Sequence, residues 1–248
     1  MSDIRLTGRI AAERVRLYAV PRAPGDIVAA LKAIDVPTEL VSDALDDLGI
    51  DGVLSASIVK PTIPGSMIVG PALTLRNIPL PQSPHATIIA NHLNRQADFE
   101  AHNLTQPGDV LVVEGGRYVS NMGGISATMA KRQGSPGTII WGGIRDVRHS
   151  RSIGHPIWST DVTAKTGRWR QETIEINGPV NIGGITVYPG DIVCADDSAV
   201  CFIPRIHAEE VVRRVLRRLE TDEDSMRFLA EGRAITDFPK PDPAAFRE

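Results

Sequence analysis

Cysteine is nearly absent from this chain, with Cys194 and Cys201 the only two in 248 residues. They show no Cys-x-x-Cys or Cys/His ligand spacing, so a disulfide framework and a zinc site of the usual kind are excluded, and two buried reduced thiols are expected. Aromatic residues make up only 4%, too few for an extended base-stacking platform. Charge of one sign is also lacking. The formal net charge is −3, with both signs interspersed, which gives no electrostatic case for nucleic acid or an anionic membrane as partner. Long hydrophobic runs are missing too. The longest uncharged stretches, such as Asn77 to Asn94, are broken by prolines and polar side chains, so none reads as a membrane span. Met1 to Leu6 alternates charged and apolar residues and has no apolar signal-peptide core. A cytoplasmic protein is expected.

What is present is ordinary globular composition, 42% apolar and 23% charged, in a chain long enough for a substantial core. Residues 1–24 read as an N-terminal arm, since Pro21 and Pro24-Gly25 interrupt any periodicity. Residues 25–220 read as a single domain. Residues 221–248 read as a partly extended tail, which Pro239, Pro241 and Pro243 keep from becoming regular past Arg233 and which can wrap a neighbour.

Within the domain, a short helix is expected over Asp26 to Ile34. A second runs from Thr38 as N-cap to Gly49 at C′, with Leu40, Val41, Ala44, Leu45 and Leu48 on one apolar stripe. Met67 to Arg76 reads as a strand broken at Gly70-Pro71, and Ala86 to Ala97 as a helix. After the turn Gln106-Pro107-Gly108-Asp109 comes the buried strand Val110 to Val113, ending at Glu114-Gly115-Gly116. A helix from about Ile125 to Arg132 then leads through Gly134 to the strand Thr138 to Trp141. Strand, helix, strand in this order make a βαβ unit with a parallel pair. The last third is antiparallel: a hairpin at Gly183-Gly184, strands near Ile192 to Cys194 and Ala199 to Ile203, then a helix from His207 to about Glu220. Its apolar face is Val211, Val212, Val215, Leu216 and Leu219, and Arg213, Arg214, Arg217 and Arg218 form a wet face with Glu209 and Glu210 as partners.

Two glycine turns carry the chemistry, Asn121 to Ser126 and Gly142 to Asp146, with twenty residues between Gly124 and Arg145. The first precedes a helix, so the N–H groups of Gly124, Ile125 and Ser126 lack intrahelical partners and can hold a carboxylate or phosphate. The same glycines also suit a plain strand–helix turn. The second ends a strand, where ligands sit in open α/β sheets. Arg145 offers a planar, permanently charged fork, and Asp146 a hard oxygen suited to Mg²⁺ or Mn²⁺. A surface Arg-Asp pair is the alternative. Asp191, Asp196 and Asp197 read as turn residues.

The segments Val41 to Gly49, Val69 to Ala72, Pro107 to Gly116, the Gly124-to-Asp146 spacing and Gly190 to Asp197 together resemble the RraA-like family. That family includes class II aldolases acting on 4-hydroxy-4-methyl-2-oxoglutarate and 4-carboxy-4-hydroxy-2-oxoadipate, and the regulator of ribonuclease E activity. The resemblance implies an α/β fold of the phosphohistidine-swivelling type, a layered ββα architecture with mixed parallel and antiparallel sheets. It implies assembly as a homotrimer or homohexamer with sites at subunit boundaries. It also implies a Mg²⁺- or Mn²⁺-dependent lyase that cleaves a 4-hydroxy-2-oxo acid to pyruvate, with oxaloacetate decarboxylation as a side activity.

Carried onto this chain, the family pattern makes Asp146 the metal ligand and places Arg145 on the keto oxygen and enolate. The N–H groups of Gly124, Ile125 and Ser126 then hold the substrate carboxylate. Where the aldolase pattern continues with an acid, three positions beyond Asp146, this chain has His149. His149 is open to three readings: ligand, acid/base group or surface residue. Glu114 is a candidate to support metal waters, and Arg168, Arg170 and Lys165 are candidates for a distal carboxylate or for surface charge. The competing function is a non-catalytic regulator binding a ribonuclease or another protein.

Overall fold

The computed structural model describes residues 5–24, 26–91 and 94–239. Seven α-helices lie in this part of the chain: α1 (Ile27–Lys32), α2 (Pro37–Asp47), α3 (Pro84–Asn91), α4 (Asp98–Leu104), α5 (Gly124–Arg132), α6 (Val147–Ser152) and α7 (Ala208–Ala230). The strands are β1 (Val53–Ser55), β2 (Lys60–Pro61), β3 (Ile68–Pro79), β4 (Val110–Glu114), β5 (Ser120–Met122), β6 (Thr138–Ile144), β7 (Ile157–Val162), β8 (Gln171–Ile176), β9 (Val180–Ile182), β10 (Ile185–Val187), β11 (Ile192–Ala195) and β12 (Ala199–Ile203).

One large mixed sheet runs in the order β1-β12-β11-β3-β4-β6-β7-β2, with β5 beside β6 and β8 beside β3. Its centre, β3-β4-β6-β7, is parallel, and β11, β12 and β1 continue it antiparallel. The expected βαβ unit is β4-α5-β6, and the Gly183-Gly184 hairpin is β9–β10.

Alternation along the strands sorts the core into faces. Leu111 and Val113 of β4 and Ile140 and Ile144 of β6 meet Ala101, Leu104, Ala127 and Ala130 of α4 and α5. Cys194 of β11 and Cys201 and Ile203 of β12 meet α1, α2 and α7. The opposite face carries Val110, Val112, Ile139, Val193 and Phe202, closed by the hairpin and by the fully buried Trp158, whose Nε1–H donates to Asp196 O at 2.8 Å. Cys194 and Cys201 are buried and reduced as expected, and face each other across the β11–β12 ladder.

Several sequence expectations are corrected. Thr38 is not the N-cap of α2. Pro37 occupies the first turn, and the Thr38 hydroxyl reaches 158 residues along the chain to the buried Asp196 carboxylate at 2.7 Å. Gly49 does end α2: with φ +65°, it lets Gly49 N–H bond Asp46 O and Ile50 N–H bond Leu45 O, the paired bonds of a Schellman motif.

Gly70-Pro71 does not break β3. Ala72 N–H points toward β11, donating to Asp191 O, so the missing Pro71 N–H faces the β4 side, where pairing starts only at Ala72. The helix expected over 86–97 is instead α3, ending at Asn91, and a separate α4 that begins at Asp98 and buries Ala101 and Leu104. The last helix continues ten residues past Glu220, because nothing stops it before Gly232, at φ +67°.

Leu216 is exposed rather than buried, and Arg214 and Arg218 reach across to Asp47 of α2 rather than forming a wet face. The described part of the tail turns back on α7, with Phe238 edge-on to Phe228 at 5.4 Å. Pro241 and Pro243, offered for an extended tail, lie outside the described residues, as does the Met1 to Ile4 segment of the N-terminus. The arm adds Ile10, Val15 and Val20 to the core beside α4.

Candidate active site

The two glycine turns meet because β5 lies parallel to β6. Met122 is in register with Ile144, and Arg145 N–H donates to Met122 O at 3.0 Å. The helical excursion through α5 therefore returns the chain to the strand beside its start, with Gly123-Gly124 against Arg145-Asp146. Gly143 makes this possible, since a Cβ there would stand 2.5 Å from Val119 O on the β5 side.

Asp146 is left-handed (φ 58°, ψ 35°), a conformation costly for a non-glycine residue but better tolerated by aspartate. Its carbonyl starts α6 by accepting from His149 and Ser150 N–H. Its carboxylate turns back, with Oδ2 accepting Gly124 N–H at 2.9 Å and lying 3.6 Å from Arg145 Nε. Of the three N–H groups expected to be open to an anion, Gly124's is thus taken by Asp146. Those of Ile125 and Ser126 have no acceptor among the described residues; the first helical bond of α5 comes from Ala127. Arg145 and Asp146 are both about half exposed, with side-chain values of 41% and 49%.

The glycines of the first turn make room for side chains rather than for strained backbone. A Cβ on Gly123 would sit 2.9 Å from Arg145 Nε and 3.0 Å from Asp146 Oδ2. Because Gly123 has an ordinary extended conformation (φ −131°) and those atoms end flexible side chains, Gly123→Ala is expected to fold normally. Its thermal midpoint should stay within a few degrees of the parent's. Activity should drop about 10- to 100-fold through displacement of the pair. A large loss of melting temperature, or unchanged activity, would refute this account.

Arg145, Asp146 and the first turn line a cleft of about 310 Å³ that also receives Arg9 from the arm, Asp98 and Phe99 from α4, and Arg168. Arg9 lies over the Phe99 ring at 4.4 Å, and Arg168 over Trp169 at 5.3 Å. His149 belongs to a neighbouring open depression of about 810 Å³ with Arg132 and Arg148. There its Nε2 meets Thr128 Oγ1 at 2.9 Å, and since that hydroxyl donates to Gly124 O, the histidine is the donor.

The structure does not bring Glu114 or Arg170 into the cleft. Glu114 accepts Asn181 N–H at 2.8 Å and pairs with Arg76, and Arg170 donates to Thr166 O at 2.9 Å. Asp191 and Asp196 hold turns, as expected, by accepting nearby backbone N–H groups, whereas Asp197 accepts the N–H of Gly65, 132 residues away in the chain. Among the described residues, no three His, Cys, Asp or Glu side chains converge. A divalent ion here would rest on Asp146 with water completing its shell, a manner of binding that suits Mg²⁺.

Sequence reasoning missed the polar wall behind the first turn. Ser126 Oγ lies 2.7 Å from Nε2 of the buried His102, and the same hydroxyl is near enough to the Asp98 carboxyl to lower its pKa. Burial holds His102 neutral, its pKa lowered to about 4, and its Nδ1 has no partner among the described residues. Burial likewise pushes the Asp98 carboxyl above its ordinary value, against the opposing pull of Ser126, nearby backbone N–H groups and Arg9. The readable signal was the spacing Ala97, Ala101, Leu104, which puts Asp98 and His102 together on the next face of a helix.

The family model described as Aldolase/RraA matches residues 38–202. DlpA of Legionella pneumophila is 31% identical over 79% of this chain, and the match spans only 30% of that protein's length. A Halalkalibacterium halodurans protein named "Putative 4-hydroxy-4-methyl-2-oxoglutarate aldolase" is 30% identical over 82% of this chain and 86% of its own. The crystal structure of Streptomyces coelicolor RraAS2, titled an unusual member of the RNase ES inhibitor RraA protein family, superposes with a TM-score of 0.68. It is 30% identical and covers 83% of this chain and 98% of its own. With its mixed α/β architecture and its match over most of the length, the chain belongs to the RraA-like family.

Proposed function

We propose that this protein is a divalent-metal-dependent lyase that cleaves a 4-hydroxy-2-oxo acid to pyruvate and a second carbonyl compound, and that it also decarboxylates oxaloacetate. The observation that carries the reading is the convergence in one cleft of Arg145, Asp146 and the open N–H groups of Ile125 and Ser126. Asp146 would hold Mg²⁺ or Mn²⁺, and a bound ion would supply Lewis-acid polarisation of the 2-keto group.

The chain's own groups do the rest. Ile125 and Ser126 N–H hold the carboxylate next to the keto carbon, at the positive end of α5. Arg145 donates to the keto oxygen and stabilises the charge that gathers there as the C3–C4 bond breaks. Decarboxylation yields the same enolate, so the same two groups serve it. Arg9 and Arg168, which line the same cleft, suit a second carboxylate on the substrate. Assembly into a trimer or hexamer with sites at subunit boundaries, as the family resemblance implies, is part of the proposal.

The test is pyruvate release from a panel of 4-hydroxy-2-oxo acids and oxaloacetate, with Mg²⁺ or Mn²⁺ and again with chelator. Metal-dependent release from at least one substrate is expected, and no release from any of them would sink the reading. A second reading, a metal-independent regulator that binds a ribonuclease, is favoured by the likeness to the RNase ES inhibitor family member. Stoichiometric capture of a ribonuclease, indifferent to Asp146 and to chelator, would favour it.

A further inference from the structure

We propose that Asp98 is the catalytic acid of this cleft, delivering a proton to the C3 carbon of the enolate, with Ser126 and His102 as its positioning residues. The inference rests on the lyase reading above and adds to it the group that finishes the reaction.

The geometry is as follows. Asp98 opens α4 and lines the same cleft as Arg145 and the Ile125 and Ser126 N–H groups that would hold a 2-oxo acid. It is of intermediate exposure, open to the cleft it lines, and burial is the main influence on its carboxyl. Near it stands Ser126, whose hydroxyl lies 2.7 Å from His102 Nε2 and lowers the pKa of the Asp98 carboxyl. His102 is buried, and among the described residues its Nδ1 has no partner. A neutral imidazole in that setting donates from Nε2–H to Ser126 Oγ, which turns the serine proton toward Asp98. Ser126 is engaged by the imidazole and is 4% exposed, so the trio does not present a serine nucleophile.

The charged neighbours can be named from every side. Arg9 comes from the arm, Arg168 from the loop before β8, and Arg145 and Asp146 from the end of β6. Glu100, on α4 itself, is committed to Thr7 through the Thr7 N–H at 2.7 Å and through its hydroxyl. Among the described residues Asp98 is therefore the carboxyl of the cleft wall with no ion pair, Arg9 acting on it without pairing, while Asp146 is engaged with Arg145 and Gly124. Desolvation favours the protonated acid, the form that can give a proton to carbon.

The step balances. As C3–C4 breaks, the C4 hydroxyl proton passes to water and the bonding pair enters the enolate. C3 then takes the proton of Asp98 to become the pyruvate methyl, and the carboxylate left behind regains a proton from water. After decarboxylation the same protonation follows loss of CO₂.

The deciding measurement is deuterium exchange into the methyl group of pyruvate in D₂O, followed by NMR with Mg²⁺ present, beside pyruvate release from the substrate panel. Asp98→Asn is expected to slow exchange and kcat by at least about 100-fold. Binding of oxalate, an enolate mimic, should change less than about threefold, because the groups that bind it are untouched. Ser126→Ala should slow exchange by about tenfold, the worth of one hydrogen bond to a charged group. Wild-type exchange that persists within about threefold in Asp98→Asn would overturn the proposal and leave the lyase reading standing. Should Asp98→Asn fail to fold, Ser126→Ala decides: unchanged exchange overturns the proposal, slowed exchange with intact oxalate binding supports it. A wild-type protein that neither releases pyruvate nor exchanges its methyl protons removes the lyase reading itself, and this inference with it.

Discussion

Asp146→Asn is expected to lower metal-dependent pyruvate release by at least about 100-fold in kcat/KM while the fold remains. The two halves of this expectation have separate physical grounds. Asparagine tolerates the left-handed backbone that residue 146 adopts, and its Oδ1 can still accept Gly124 N–H. The bonds that start α6 use the backbone carbonyl of residue 146, which the substitution leaves in place. What disappears is the negative charge, and with it the electrostatic hold on Arg145 and the group that on the lyase reading would hold the divalent ion. Alanine is a poorer probe, since it adds left-handed strain of about 1 kcal/mol or more and leaves Gly124 N–H unpaired. Calorimetry with Mn²⁺ should show binding to the parent and none to Asp146→Asn. A variant as active as the parent in excess Mg²⁺ would rule out Asp146 as the metal ligand.

Acidification is expected to destabilise the protein between about pH 6.5 and pH 4, through His102 and His155. Burial lowers the His102 pKa to about 4, and burial, together with the nearby His102 and Lys131, lowers that of His155 to about 4, against 6.5 for an exposed imidazole. Below pH 6.5 the unfolded chain takes up protons that the folded protein refuses, so stability falls as pH drops and levels off once the folded values are passed. Each histidine contributes up to about 3 kcal/mol to that fall.

Asp98, Asp109 and Asp191 act in the opposite sense. Burial raises all three, so the folded protein binds their protons first and recovers part of the loss at the acid end. Urea unfolding from pH 7 to pH 4.5 measures the slope. His155→Gln, which keeps a partner for Thr138 Oγ1 (now 3.0 Å from His155 Nε2), should reduce it by roughly half. An unaltered pH slope in that variant would show that His155 is not held neutral.

The elements with strong local signals were legible in the chain. The β4-α5-β6 unit, the Gly49 helix stop, the Gly183-Gly184 hairpin and the turns at Asp191 and Asp196 all rest on patterns spanning a few residues. Periodicity and turn chemistry are local, so they survive without tertiary context. Thr38 shows where locality fails. A threonine before an apolar stripe suits an N-cap, yet its hydroxyl serves Asp196, far away in sequence. Pro71 shows the same limit. Whether a proline breaks a strand depends on which neighbour its missing N–H would have faced, and sheet order alone decides that.

The site divides along the same line. Its candidate residues could be singled out from the sequence because arginine beside aspartate after a strand, and glycines before a helix, are unusual in composition and position. Their roles toward one another belong to the tertiary structure. Only the parallel pairing of β5 with β6 gives Gly124 N–H to Asp146 rather than to a ligand, and only the packing of α4 against α5 brings Asp98, Ser126 and His102 together. The physical reason is one of range. Backbone preference and amphipathic spacing act over a handful of neighbours, whereas desolvation and hydrogen-bond competition depend on which distant segments the sheet brings within about 3 Å of one another.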